Sequence, residues 1–131
     1  MEERLKLSRE STAEEVDATA YRRIIGSLRY LVHTRPDLAF SVGYVSRFME
    51  RPTVEHMGAV KRLLRYIAGT IDYGLVYPRG SGEAKLVGYT DSDLAGDIDT
   101  PKSTSGALFF FGGSLISWQS GEATDRCSVL L

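Results

Sequence analysis

The sequence predicts an α+β chain, a small three-helix module followed by a run of three strands. Three observations predict it. Apolar residues recur at steps of three and four through the first half, as they do on a buried helix face. Arg79-Gly-Ser-Gly82 then interrupts the pattern as a flexible link, and it is the expected domain boundary. Beyond it come runs rich in β-branched and aromatic residues. The last two are separated by Gly112-Gly113, a pair that supplies the positive φ angles of a tight hairpin turn.

Residues 1–16 are polar and rich in Glu and Ser, so they read as a tail or loose lead-in. Asp17 is the expected N-cap of the first helix. From Ala20 to Val32 the apolar positions are Ile24, Ile25, Leu28, Leu31 and Val32, interleaved with Arg22, Arg23 and Arg29. Thr34-Arg-Pro-Asp37 closes that helix and opens a second, because Pro and an acid suit a first turn. Leu38, Val42, Val45 and Met49 continue it, and Gly43 weakens it by roughly 1 kcal/mol relative to Ala. Arg51-Pro52 breaks the chain, and Thr53 caps a third helix over Val54 to Ala68. Its expected apolar stripe is Met57, Val60, Leu64 and Ile67, and Gly69 ends it.

A short strand is expected at Leu75-Val76-Tyr77, stopped by Pro78. Three more follow at Lys85–Thr90, Ser105–Phe111 and Leu115–Gln119. Phe109 to Phe111 and Trp118 read as the core of this sheet. Residues 17–80 thus form the helical module and residues 81–120 the strand-rich part.

Composition bounds the function. The 131 residues are 43% hydrophobic and 25% charged, a globular balance. No apolar run approaches the ~20 residues of a membrane span, and the charged N-terminus lacks a signal-peptide core. No membrane partner is expected. One cysteine, Cys127, excludes an internal disulfide framework and points to a reducing compartment, cytoplasmic or nuclear. Net charge is −1 overall but unevenly spread. Residues 1–20 carry −3, residues 21–66 carry +6 and residues 67–131 carry −4. A basic middle beside an acidic end suits a phosphate-tracking surface next to a metal-binding one, and equally a set of solvated faces.

The strongest chemical candidate is Asp91, at the end of the first long strand, with Asp93, Asp97 and Asp99 just beyond. An acid where a leading strand stops suits a divalent metal that meets phosphate. The plain alternative is a strand-end polar residue, and for Asp93, Asp97 and Asp99 loop acids. Lys61, Arg62 and Arg65, with Tyr66, either meet nucleic-acid phosphates or form a solvated face. His33 and His56 have no partner at metal-binding spacing and read as structural.

Many short motifs occur in order: Tyr21-Arg-Arg-Ile-Ile-Gly-Ser-Leu-Arg-Tyr-Leu, Thr34-Arg-Pro-Asp-Leu, Ser46-Arg-Phe-Met, His56, Lys61-Arg-Leu-Leu-Arg-Tyr-Ile-Ala-Gly-Thr, Tyr73-Gly-Leu, Gly88-Tyr-Thr-Asp-Ser-Asp-Leu-Ala-Gly-Asp, Lys102-Ser-Thr-Ser-Gly and Ile116-Ser-Trp-Gln-Ser. Over residues 17–120 they resemble the Pol polyprotein of copia-type LTR retrotransposons. The resemblance implies that residues 17–80 are a reverse transcriptase thumb/connection module. It implies that residues 81–120 open an RNase H domain, as a truncated RNase H-like antiparallel three-stranded sheet. It places Asp91 on the first metal-binding carboxylate of that nuclease, which uses two magnesium ions.

Such a pair of ions, ~4 Å apart, needs several oxygen donors on rigid elements, and one aspartate does not hold it. The family's Tyr-x-Asp-Asp polymerase signature is also absent, for no Asp-Asp pair occurs in the chain. The expectation is a catalytically inactive fragment that does not stably bind Mg2+. The parent family makes DNA on an RNA template and cleaves RNA–DNA hybrids. The rival expectation is a non-catalytic module that binds an RNA–DNA hybrid or another nucleic acid through its basic helices. No small-molecule substrate is indicated. Residues 121–131 depart from the family pattern. With codons chosen to suit, and one base removed near codon 121, they can be back-translated to read Gly-Lys-Gln-Arg-Ile-Val-Ala-Leu-Ser-Ser, the family's continuation. A frameshifted tail is therefore expected, and sequencing the DNA there tests it.

Overall fold

A computed structural model describes residues 7–80, 83–92 and 104–122. They fall into two compact units, one reaching to Val76 and one starting at Tyr77.

The first unit is helical. Helix α1 spans Ala18–Leu31, and Asp17 caps it by accepting a 2.9 Å hydrogen bond from the Thr19 N–H. It buries Tyr21, Ile25 and Leu28, with Ile24, Leu31 and Val32 at the flanks. Tyr21 escaped the apolar count because it carries a hydroxyl. That hydroxyl donates to the Val45 carbonyl at 2.6 Å, so the ring is fully buried without an orphaned polar atom. Burial pushes the phenol's pKa well above its ordinary value.

The second helix begins at Pro36 as expected, but as a 3-10 turn, Pro36–Leu38, leading into α2, Ala39–Ser46. It stops short of Met49. The Ser46 hydroxyl donates back to the Val42 carbonyl at 2.6 Å, a bond that competes with the helical ladder. Leu38, Val42, Val45 and, past the helix, Phe48 are buried.

Helix α3 spans Val54–Gly69. Its buried face is His56, Ala59, Val60 and Leu63. The expected stripe is therefore rotated: Met57 and Ile67 flank the core and Leu64 is exposed. The cause is His56, a polar residue with no accessible surface. Its Nδ1 accepts the Thr53 N–H at 3.0 Å, which places the proton on Nε2, and Nε2 donates to the Ser8 carbonyl at 2.8 Å. Thr53 and His56 thus form a capping box in which histidine takes the place usual for Glu or Gln. The imidazole also stacks on Phe48, 4.1 Å between centroids.

The loose lead-in is corrected from Leu7 onward. Leu7 is buried in the helical core, and its N–H donates to the Tyr44 hydroxyl at 2.9 Å. Val16 N–H donates to the Pro52 carbonyl at 3.0 Å and Val54 N–H to the Glu14 carbonyl at 2.9 Å, so Glu15 and Thr53 form an antiparallel bridge. These are main-chain attachments, to which side-chain composition is blind.

The expected strand Leu75-Val76-Tyr77 is also corrected: it is not a strand, and Val76 is 80% exposed. Local β propensity without a neighbouring ladder does not hold a strand.

The second unit is an antiparallel sheet in chain order, β1 Leu86–Ser92, β2 Thr104–Phe111 and β3 Ser114–Glu122. Gly112 and Gly113 make the β2–β3 turn with φ of 58° and 81°. The aromatic run is not a core. Among the described residues of the sheet only Ala107 is buried, and Phe111 is 49% exposed. Successive strand residues point to opposite faces, so three consecutive phenylalanines cannot share one interior.

Candidate functional site

Asp91 lies one residue before the end of β1 and is exposed. It stands directly opposite Gly106, which in turn stands opposite Ser120. A carboxylate therefore heads a row whose other members are small. One row back on the same face, Tyr89 meets Phe110 edge-on at 5.7 Å. Asp93, Asp97 and Asp99 lie outside the described residues, as does Cys127. Among the described residues no three His, Cys, Asp or Glu side chains gather into a metal-sized group. By themselves they do not fit a two-magnesium centre.

Lys61, Arg62 and Arg65 are all exposed on α3. Lys61 and Arg65, four apart, share one side of the helix, and Arg62 lies a step around from them. Tyr66 is tied elsewhere: its hydroxyl donates to Asp37 Oδ2 at 2.7 Å. His33 is exposed and meets Tyr30 edge-on at 6.0 Å.

Tyr66 leads to a cluster that sequence reasoning treated only as a helix boundary. Arg35 is buried between the start of the second helix and the end of α3. Its Nε and NH2 donate to the two carboxylate oxygens of Asp37 at 3.0 and 2.8 Å. Its NH1 and NH2 reach the Thr70 carbonyl and hydroxyl at 3.1 and 2.8 Å. Thr70 Oγ1 in turn donates to the Tyr66 carbonyl at 2.8 Å. This is a forked pair extended into a closed network. The Arg35 hydrogen bonds hold Asp37 below the usual carboxylate range, with the Tyr66 bond adding to them. Asp37 raises the Arg35 and Tyr66 pKa values in return. Every polar end is engaged within the unit, so the arrangement is a clamp rather than a reaction centre. The signal for it was Thr34-Arg-Pro-Asp, an Arg and an Asp two apart around a proline.

No family model matches the chain, and no solved structure does. Named proteins do. The chain is 50% identical over 133 aligned residues to the retrovirus-related Pol polyprotein from transposon TNT 1-94 of Nicotiana tabacum, covering 96% of this chain and 10% of the relative. It is 46% identical over 115 residues to the corresponding polyprotein from transposon RE1 of Arabidopsis thaliana, covering 88% of this chain and 8% of the relative. It is also 50% identical over 101 residues to the secreted RxLR effector protein 161 of Plasmopara viticola, covering 76% of this chain and 70% of that protein. The chain spans a tenth or less of the length of these Pol relatives. Identity at this level, across the helical unit and into the sheet, assigns the family: the chain belongs to the retrovirus-related Pol polyproteins of transposons, of which it matches one short segment.

Proposed function

We propose that this segment is the thumb/connection region of a copia-type reverse transcriptase followed by the opening strands of its RNase H. Asp91 then occupies the first nuclease carboxylate, and the chain by itself catalyses neither polymerisation nor hybrid cleavage. The observation that carries this reading is Asp91 itself. It is an exposed acid at the end of the leading strand of an antiparallel three-stranded meander, within the motif Gly88-Tyr-Thr-Asp-Ser-Asp. The chemistry of the donor set supports inactivity. In-line phosphoryl displacement by two cations needs both held at fixed separation, and one strand-borne carboxylate supplies a single anchor.

The test is cleavage of an RNA–DNA hybrid by the purified chain in magnesium. The expected result is no turnover. Turnover that disappears in Asp91→Asn would overturn the proposed inactivity while supporting the placement of Asp91.

A second reading is favoured by the exposed Lys61, Arg62 and Arg65 on α3: a non-catalytic nucleic-acid-binding module. It expects hybrid binding that weakens with salt and with charge neutralisation. Neutralising each cation that meets a phosphate should shallow the log–log salt slope by about 0.9. Absence of binding at low salt removes this reading.

A further inference from the structure

The turn after α2 carries a concentration of arginine that neither reading above uses. A cleft of about 400 Å3 is lined by Arg9, Arg47, Phe48, Glu50 and Arg51. Arg22, from α1, comes to the same turn and donates its Nε to the Met49 carbonyl at 2.9 Å. Three guanidinium groups against one carboxylate leave the lining at +2.

The framework of the cleft is fixed. Phe48 is 3% exposed and clamped against the His56 ring. The Arg47 guanidinium lies over the Tyr44 ring, 5.4 Å from its centroid, a cation–π interaction that orients it. Arg51 gives its Nε to Glu15 at 2.5 Å, which anchors the root of the fork. Arg9 comes from the segment that the Glu15–Thr53 bridge ties down. Arg9 and Arg47 also engage other groups, so an incoming anion would share or exchange their donors. Each guanidinium has five N–H donors in a planar fork, and that fork matches a tetrahedral oxyanion.

We propose that this cleft is a phosphate-binding site, with Arg47 and Arg51 as its principal donors and Arg9 closing it. The ligand class is a phosphate group with two or more free oxygens. Its source is a free phosphate or a phosphate of a nucleic-acid chain. A volume of about 400 Å3 sits at the small end of ligand pockets and accepts either. The site does not depend on the Pol reading or on the α3 basic face.

The experiment is titration of the full isotope-labelled chain with inorganic phosphate at low ionic strength, followed by amide and arginine side-chain NMR. Saturable shifts centred on residues 47–51 are expected. Arg51→Gln and Arg47→Gln should each weaken binding roughly tenfold, the effect of losing a hydrogen bond to a charged group. Lys85→Gln, at an exposed cation of the sheet unit, should leave it unchanged. Arg51→Lys keeps the charge, loses the fork and should fall between wild type and Arg51→Gln. If either Gln variant loses its folded spectrum, Arg9→Gln gives the same comparison from outside the turn. Displacement of phosphate by a short oligonucleotide assigns the polymer as source, and failure to displace assigns the free anion. Non-saturating shifts, or binding indifferent to Arg47, Arg51 and Arg9, would overturn the site.

Discussion

The helical unit and the sheet unit hold themselves together by different means. In the first, eleven apolar residues from the lead-in, all three helices and the Phe48 turn are buried in one cluster. In the second, Ala107 alone is buried among the described residues. The sheet keeps its ladder and its Gly-Gly turn, but Leu86, Tyr89, Phe111 and Ile116 remain about half exposed or more. Burial of apolar area is the main stabilising term, and a small sheet without a covered face is marginal in water. The helical unit should therefore be the stable one. Trp118, the single tryptophan, lies on β3 and serves as the probe of the sheet.

The sharpest way to break this comparison is a charge in the helical core. Val60 has no accessible surface and sits mid-helix on α3. Val60→Asp leaves a carboxylate with no partner there, a change expected to cost about 5 kcal/mol or more. That is comparable to the whole stability of a small domain. Circular dichroism at 222 nm should lose most of its helical signal. Trp118 emission should stay where it is in the wild type. Emission that moves with the helical signal would show that the sheet depends on the helical core.

Next in size is the clamp. Arg35→Ala removes four hydrogen bonds and leaves Asp37 and the Thr70 carbonyl to find other partners. A loss of about 3 kcal/mol is expected from chemical denaturation. The same clamp predicts an acid limb. Asp37 has a folded pKa below its unfolded value. Its contribution is complete above the unfolded carboxylate pKa, about 4, and disappears as pH falls through the folded one. Tyr66 works at the other extreme: its pKa is raised, so its contribution is complete below about pH 10 and is lost above. Arg35→Ala should flatten the acid limb. An unchanged profile would mean that other carboxylates set it.

What the sequence made legible follows the same division. Helix α1, its Asp17 cap, the Pro36 start, the Thr53 cap and the Gly112-Gly113 hairpin each rest on a local rule, and each is in the structure. Two failures are local, the early stop of α2 at Ser46 and the aromatic run of β2; the others involve partners distant in sequence. Burial of His56 depends on the Ser8 carbonyl, 48 residues away. Arg35 depends on Thr70, 35 residues away. The anchored lead-in depends on main-chain bonds to Pro52 and Val54. Leu75 to Tyr77 has the right residues for a strand and no ladder to join. At the site, the position of Asp91 on its strand was readable, because strand ends and turn glycines are local signals. The Arg9–Arg47–Arg51 cleft was not, because two sequence-distant segments make it.

The smallest effects come from one substitution made in both units, and they should carry opposite signs. Gly113 has a φ of 81° in the hairpin turn, where a Cβ crowds its own backbone. Gly113→Ala should cost about 1–2 kcal/mol. Trp118, on the strand that this turn delivers, should report it as an earlier transition. Gly58 lies inside α3 in ordinary helical backbone, and an added Cβ would meet nothing within 4 Å. Gly58→Ala should stabilise the helical signal by roughly 0.5–1 kcal/mol, because alanine loses less backbone entropy on entering a helix. If the units are independent in energy, each change moves its own probe and leaves the other still. A Gly58→Ala protein whose Trp118 transition also rises would show instead that the sheet draws stability from the helices.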